Sequence, residues 1–238
     1  MTAVTSRSVL VTGGNQGIGL GIAQRLAAAG HRVAVTHHAS SAPADLHCVK
    51  CDVTDRDSVA EAVAAVSEAQ GAVEVLVYAA GITRDGLALR MADRDWDDVI
   101  ETDLAGAWAC ARSVLPAMAK ARHGRLLFVG SVVGLLGSAG QANYAAAKAG
   151  LIGLARSLAR EYAGRGITSN VLAPGLVETA MTASLSDAQR ADIVARTPLG
   201  RAASVAEIAS VAAFLVGDEA SYLTGAVVPV DGGLGMGH

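Results

Sequence analysis

The chain has 238 residues, 52% of them hydrophobic and 17% charged, which is enough apolar material for one α/β domain with a substantial core. A formal net charge of -3 without a basic block argues against nucleic acid or an anionic membrane as a main partner. No apolar run reaches the roughly 18 residues of a membrane helix, no export signal opens the sequence, and the cysteines number three, so a cytoplasmic protein with free thiols is expected.

Ser8-Val9-Leu10-Val11-Thr12 predicts a buried strand closed by glycines. Gly13-Gly14-Asn15-Gln16-Gly17-Ile18-Gly19 follows and leads into a helix to about Ala29. Glycines let the backbone come close to a pyrophosphate, and the helix N-terminus attracts the anion. A Gly-rich turn between strand and helix therefore points to dinucleotide binding. His31 to Thr36 predicts a second strand, running into His37 and His38. An acid there would hold the ribose 2′-hydroxyl of NAD and repel a 2′-phosphate. Its absence leans toward NADP, and a solvated pair is an equal reading of the two histidines.

Cys48 to Asp52 predicts a third strand; Cys48 and Cys51 make one C-x-x-C without the second pair of a zinc site. Asp55 to Ala69 predicts an amphipathic helix with Val59, Val63 and Val66 on one face. A fourth strand over Val73 to Tyr78 leads into Ala79-Ala80-Gly81. A long helical pattern runs from Asp93 to about Ala121, with a kink expected at Pro116. Leu126 to Val129 predicts a fifth strand and Gln141 to Ala163 the next helix. Ile167 to Ala173 predicts a sixth strand, stopped by Pro174-Gly175. The polar stretch holding Thr179, Thr182, Ser184 and Ser186 reads as a mobile lid over the 180–200 region. Helix Val205 to Val216 and strand Ala226 to Val230 complete the pattern. The alternation predicts a single-domain, Rossmann-like doubly wound parallel sheet of about seven strands with helices on both faces.

One stretch carries the chemistry. Tyr144 and Lys148 are four apart, hence one turn apart on one helix face, and Ser131 lies at the end of the fifth strand. A ketone under reduction gains a hydride at carbon and needs a proton at oxygen. A phenol can supply that proton, an ammonium beside it favours the phenolate left behind, and a serine hydroxyl can hold the oxygen in place.

With the Gly-rich turn and this stretch placed, the whole chain resembles the short-chain dehydrogenases/reductases, and within them the bacterial 3-oxoacyl-[acyl-carrier-protein] reductases, including actinobacterial ones. Gly81-Ile82-Thr83-Arg84-Asp85, Gly130 to Gly134, Gly140 to Gly153 and Asp231-Gly232-Gly233 carry the narrower likeness. The resemblance implies NADPH as cofactor, acyl carrier protein as partner and a homotetramer. It also implies that Ser131, Tyr144 and Lys148 are catalytic, with Asp103 where the family has an asparagine. The cofactor would lie along Gly13, Asn15, Gln16, Gly17, Ile18 and Gly19. By the same likeness Asp52 and Val53 meet the adenine and His38 the 2′-phosphate region, while Ala80 and Gly81 follow the fourth strand. Pro174, Gly175, Val177 and Thr179 would hold the nicotinamide carboxamide. Gln141, Arg122 and Arg165 match substrate or carrier positions, the arginines being equally readable as ordinary surface residues. This chain departs from the family at Ala79, Asp103, Gln16 and His38. Reduction of another ketone such as acetoacetyl-CoA, or a low-activity dinucleotide-binding subunit, stays open at this point.

Overall fold

In the computed structural model, which describes residues 6–38 and 43–237, the apolar runs become strands of one sheet. They are β1 (Ser8–Thr12), β2 (Arg32–His37), β3 (His47–Lys50), β4 (Val75–Tyr78), β5 (Gly124–Val129), β6 (Ile167–Pro174) and β7 (Val227–Val230). Every pairing is parallel and the order is β3-β2-β1-β4-β5-β6-β7. Parallel strands buried on both sides read as unbroken apolar runs, and β1 and β5 are buried at every residue.

Side-chain alternation along the strands assigns two cores. Val9, Val11, Val75, Val77, Leu127 and Val129 pack with Ile22 and Leu26 of α1 (Gly17–Ala28) and Ile208 and Leu215 of α8 (Val205–Val216). Leu10, Leu76, Tyr78, Leu126 and Phe128 face the other way. They pack with Val63 of α2 (Arg56–Gln70), Val114 of α4 (Gly106–Ala121) and Leu151 of α6 (Ala142–Tyr162). Each such side chain, fully buried, contributes about 1.5–3 kcal/mol. A one-residue register slip would exchange the two faces at once.

The helical pattern from Asp93 is not one helix. It divides into α3 (Asp93–Ile100), a π-helical turn (Glu101–Ala105) and α4. In the π turn the Gly106 N–H bonds Glu101 O, five residues back. That releases Thr102 O from the Gly106 donor, and the buried Tyr78 hydroxyl donates to it instead. The helical ladder is therefore interrupted here, while α4 continues through Pro116, where a kink was expected.

Three further stretches differ from the sequence reading. The lid region holds a 3₁₀ turn (Thr182–Ser184) and α7 (Asp187–Arg196), the latter closed by a capping box between Ser186 and Gln189. A short α5 (Val133–Leu136) follows Ser131, and β3 ends at Lys50, leaving Cys51 and Asp52 in the turn beyond it. Cys48, Cys51 and Cys110 are free thiols, as expected. No helix among the described residues is long and apolar enough to cross a membrane.

At the N-terminal edge of the sheet, Arg7 and Arg125 are both buried. Arg7 donates to Val216 O at the end of α8 and pairs with Asp218, which also lies 3.7 Å from Arg125. Asp218 itself faces water, so the pair gains less than a fully enclosed one. Asp218→Ala leaves two buried guanidiniums short of an anion. Chemical denaturation should show a loss of about 1–3 kcal/mol. A hydrogen bond from Arg7, then the Arg7 and Arg125 charges, hold the Asp218 carboxyl below the usual carboxylate range. Its contribution is thus present above about pH 4 and lost as pH falls through that lowered value, so parent and variant should converge in acid. A gap that persists unchanged in acid would contradict this account.

Candidate active site

Strand order reverses at β1, whose chain leaves toward β2 on one side while β4 lies on the other. In such sheets a crevice opens beyond the carboxyl ends of the strands at that point. Here a groove runs along that edge in three connected parts.

The middle part gathers residues that the sequence scatters over 170 positions. Gly13 and the loop Asn15 to Gly19 come from the β1–α1 turn and Ala80 and Gly81 from the end of β4. Ser131 follows β5, and Tyr144 and Lys148 come from α6. Pro174, Gly175, Val177 and Thr179 come from the end of β6 and the segment after it. One end opens into a cleft lined by Thr36 and His37 at the end of β2, by His38 just beyond it, and by Asp52 and Val53 after β3. The other end opens into a cleft that shares Ser131 and Tyr144 and adds Gln141, Leu136, Leu176 and Ile193.

Lys148 is nearly enclosed, and its Nζ sits 5.3 Å from the centre of the Tyr144 ring. It donates to Val129 O at 3.2 Å and lies 3.0 Å from Asp103 Oδ2. Burial works against the charged lysine, but the Asp103 carboxylate, with a lesser pull from Tyr144, outweighs it, and the net shift is upward. Lys148 is therefore an ammonium at neutral pH. Ser131 Oγ accepts the Val133 N–H at 3.1 Å, so its own hydrogen remains to be donated into the groove. Asn143 fixes the turn that presents Tyr144. Its side-chain nitrogen donates to Arg84 O and Asp95 O, and its oxygen accepts the Tyr144 N–H. Gln141 holds Asp85 at the rim of the second cleft.

A family model described as enoyl-(acyl carrier protein) reductase matches residues 13–235. The chain belongs to the short-chain dehydrogenase/reductase family. A Mycobacterium avium protein named 3-oxoacyl-[acyl-carrier-protein] reductase MabA is 52% identical over 99% of this chain and 92% of its own length. The Mycobacterium tuberculosis protein of that name is 52% identical over 98% of this chain and 94% of its own. Escherichia coli 3-oxoacyl-[acyl-carrier-protein] reductase FabG is 49% identical over 95% of this chain and 96% of its own.

Members of this family use a nicotinamide dinucleotide, and the β1–α1 turn fits one. Gly13 has φ +62°, and a Cβ there would stand 2.8 Å from Ala80 Cα. A Cβ on Gly19 would run into Gly13 O. The turn is closed only because both side chains are missing, which brings bare backbone and the N-terminus of α1 to the groove.

The structure adds two facts about residues that the sequence singles out. An acid does stand in the cleft beyond β2, though β2 does not supply it. Asp52, whose carboxyl is held low by Thr54 first of all, lies 3.6 Å from His38 Nε2. Arg122 Nη2 donates to Gly164 O, the residue before Arg165, and the two arginines precede β5 and β6. They thus occupy the sheet edge opposite Ser131 and Tyr144. No local signal carries either fact, because both depend on which strand ends become neighbours.

Gly13→Ala tests the turn. A left-handed φ costs a non-glycine residue about 1–2 kcal/mol, and the methyl group meets backbone that cannot step aside. The variant should lose that much stability and bind the reduced dinucleotide at least about tenfold more weakly in a fluorescence titration. Unaltered affinity would remove this turn from cofactor binding.

Proposed function

We propose that this family member is an NADPH-dependent reductase of 3-oxoacyl chains carried on acyl carrier protein, serving fatty-acid or polyketide synthesis in the cytoplasm. The meeting of Ser131, Tyr144 and Lys148 where the dinucleotide groove opens into a cleft partly walled by leucines carries the reading. The names of relatives near half identity support it.

When bound, the reduced nicotinamide supplies the hydride. The chain's own residues do the rest. The Ser131 hydroxyl donates to the 3-oxo oxygen and orients it. Tyr144 transfers its proton to that oxygen as charge builds there. Lys148 stabilises the resulting phenolate and reaches the nicotinamide ribose. Leu136, Leu176, Leu185 and Ile193 give the acyl chain an apolar wall, and Asp85 with Gln141 forms a polar rim. NADPH is favoured over NADH because β2 ends in Thr36-His37-His38 rather than an acid, with Asp52 acting against that preference by pairing with His38. Enoyl reduction is a second reading, favoured by the description of the matching family model.

The assay is oxidation of NADPH and of NADH by pure protein with a 3-oxoacyl thioester and, separately, an enoyl thioester. We expect turnover of the first, faster with NADPH, and a loss of kcat of about 10²–10⁴-fold in Tyr144→Phe with dinucleotide binding kept. Turnover of the enoyl substrate alone would select the second reading. Full activity in Tyr144→Phe would refute the proton path.

The same reading includes a homotetramer. Ala109 and Ala117 of α4 and Ala146, Ala149 and Gly153 of α6 keep the outward faces of these helices slim, and a two-fold axis pairing each helix with its copy would set them antiparallel. Arg165 lies about 30 Å along α6 from Tyr144 at 1.5 Å per residue. Antiparallel pairing would bring that basic end beside the partner's groove, where an acidic carrier could meet it. Light scattering should give about 95 kDa, four chains of 23.9 kDa. Reversing the charge of both arginines should raise KM for carrier-borne substrate at least about tenfold and leave KM for a coenzyme A thioester unchanged. A monomer, or equal effects on both substrates, would exclude this docking arrangement.

A further inference from the structure

Two histidines stand at the edge of the sheet opposite the groove, and neither takes part in the chemistry above. His31 precedes β2 and His123 precedes β5. The Arg7 N–H donates to His31 Nδ1 at 3.2 Å, and the Arg32 N–H donates to Arg7 O at 3.0 Å. Those two bonds tie the start of β1 to the start of β2, one residue ahead of the ladder that opens at Ser8 and Arg32. An imidazole accepts only through a nitrogen that carries no proton, so His31 is neutral in this bond. His123 lies in the turn between α4 and β5, its N–H on Met118 O. Its Nε2 is buried and makes no hydrogen bond among the described residues.

Cations crowd both rings. Arg7, Arg32 of β2 and Arg125 of β5 face the carboxylates of Glu74, just ahead of β4, and Asp218, just after α8, so three guanidiniums share two carboxylates. Both carboxylates are engaged. Glu74 Oε2 accepts the Ser8 N–H at 2.9 Å, while Asp218 pairs with Arg7 and lies 3.7 Å from Arg125. Arg125 Nε is already a buried donor without an acceptor among the described residues. A proton on His31 Nδ1 would set donor against donor at the Arg7 N–H. A proton on His123 would make its Nε2 a charged donor with nothing to bond.

We propose that His31 and His123 form an acid-sensitive latch: neutral, they close the strand-start edge of the sheet, and protonation releases the β1–β2 start, the turn before β5 and the end of α8 together. Arg7 links the three, because its side chain donates to Val216 O at 3.0 Å while its backbone holds His31 and Arg32. The groove lies at the other end of the strands, about 17 Å away along the five residues of β1, so the latch acts on the edge and not on the reacting groups.

The direction of the response follows from the surroundings. Burial first, then Arg7, and Arg32 as well, hold the His31 ring below its ordinary pKa, against the pull of Glu74 and Asp218. Burial again leads at His123, followed by Arg7 and Arg125, against Glu74 and Asp218. Between those lowered values and about 6.5 the folded protein binds fewer protons than the unfolded chain. The stability that the neutral rings confer is therefore complete above about pH 6.5 and falls as pH drops through that window, ahead of the loss at Asp218.

Histidine rings are followed by NMR against pH in the full chain, with His31→Asn and His123→Leu identifying the two signals. Both rings in the parent should titrate below about pH 6.5. Hydrogen exchange, corrected for intrinsic rates, is then compared at about pH 7.5 and about pH 5.5. Protection of the Arg7, Arg32 and Arg125 amides and of the last turn of α8 should fall at least about tenfold more than that of α6. In the double variant the asparagine keeps an acceptor near the Nδ1 position and neither ring charge can form, so this excess loss should vanish. Either ring titrating at or above about pH 6.5, or edge amides that keep pace with α6, overturns the latch from the parent alone. A double variant that loses edge protection in acid as the parent does overturns it as well.

Discussion

All seven strands run the same way, so their carboxyl ends share one edge of the sheet, and everything else in the molecule follows from that constraint. Each strand must return by a crossover on a face of the sheet, which puts helices on both faces and leaves two cores divided by alternate side chains. Chain leaving β1 and chain leaving β4 part at one point and open a crevice between them. Loops from β1, β4, β5 and β6 enter that crevice because they have nowhere else to emerge. The opposite edge receives the strand starts, and there the buried Arg7 and Arg125 share Asp218.

Within the crevice, rigid backbone and mobile backbone divide the labour. The β1–α1 turn is built from bare glycine surfaces packed on Ala80 and Gly13, too close for any side chain. Tyr144 stands on the first turn of α6, where the buried Asn143 ties that turn to Arg84 and Asp95. The segment after β6 is different in kind. Thr182 bonds Val177 O and Thr179 within it, and α7 is exposed and contributes nothing to either core. A segment with few buried apolar contacts opens at low free energy, which suits the wall of a cleft.

Electrostatics in the site work through burial. Asp103 and Lys148 lie 3.0 Å apart in a dry wall, where each offsets part of the other's cost of burial. The π turn adds one backbone irregularity to set their distance, and Tyr78 takes up the carbonyl that this irregularity releases. Asp52 and His38, by contrast, are solvated, so their pairing does little to hold the fold together.

The sequence alone determined the strands, the two-faced cores, the Gly-rich turn and the Ser131, Tyr144 and Lys148 set, because those rest on short-range pattern. Apolar runs, a four-residue helix spacing and glycines at a strand end act within about ten residues. The Ser186-x-x-Gln189 capping box was equally local, so α7 was legible too and was passed over as lid. Tertiary structure decided the rest. The break in the long helix falls at Glu101–Ala105 rather than at Pro116, where Tyr78 of β4 donates to Thr102 O and Asp103 meets Lys148 of α6. The approach of Asp52 to His38 depended on β3 lying beside β2. Arg122 and Arg165 came to the edge away from Tyr144 because strand direction, invisible in any local window, fixed which ends of β5 and β6 carry which loops.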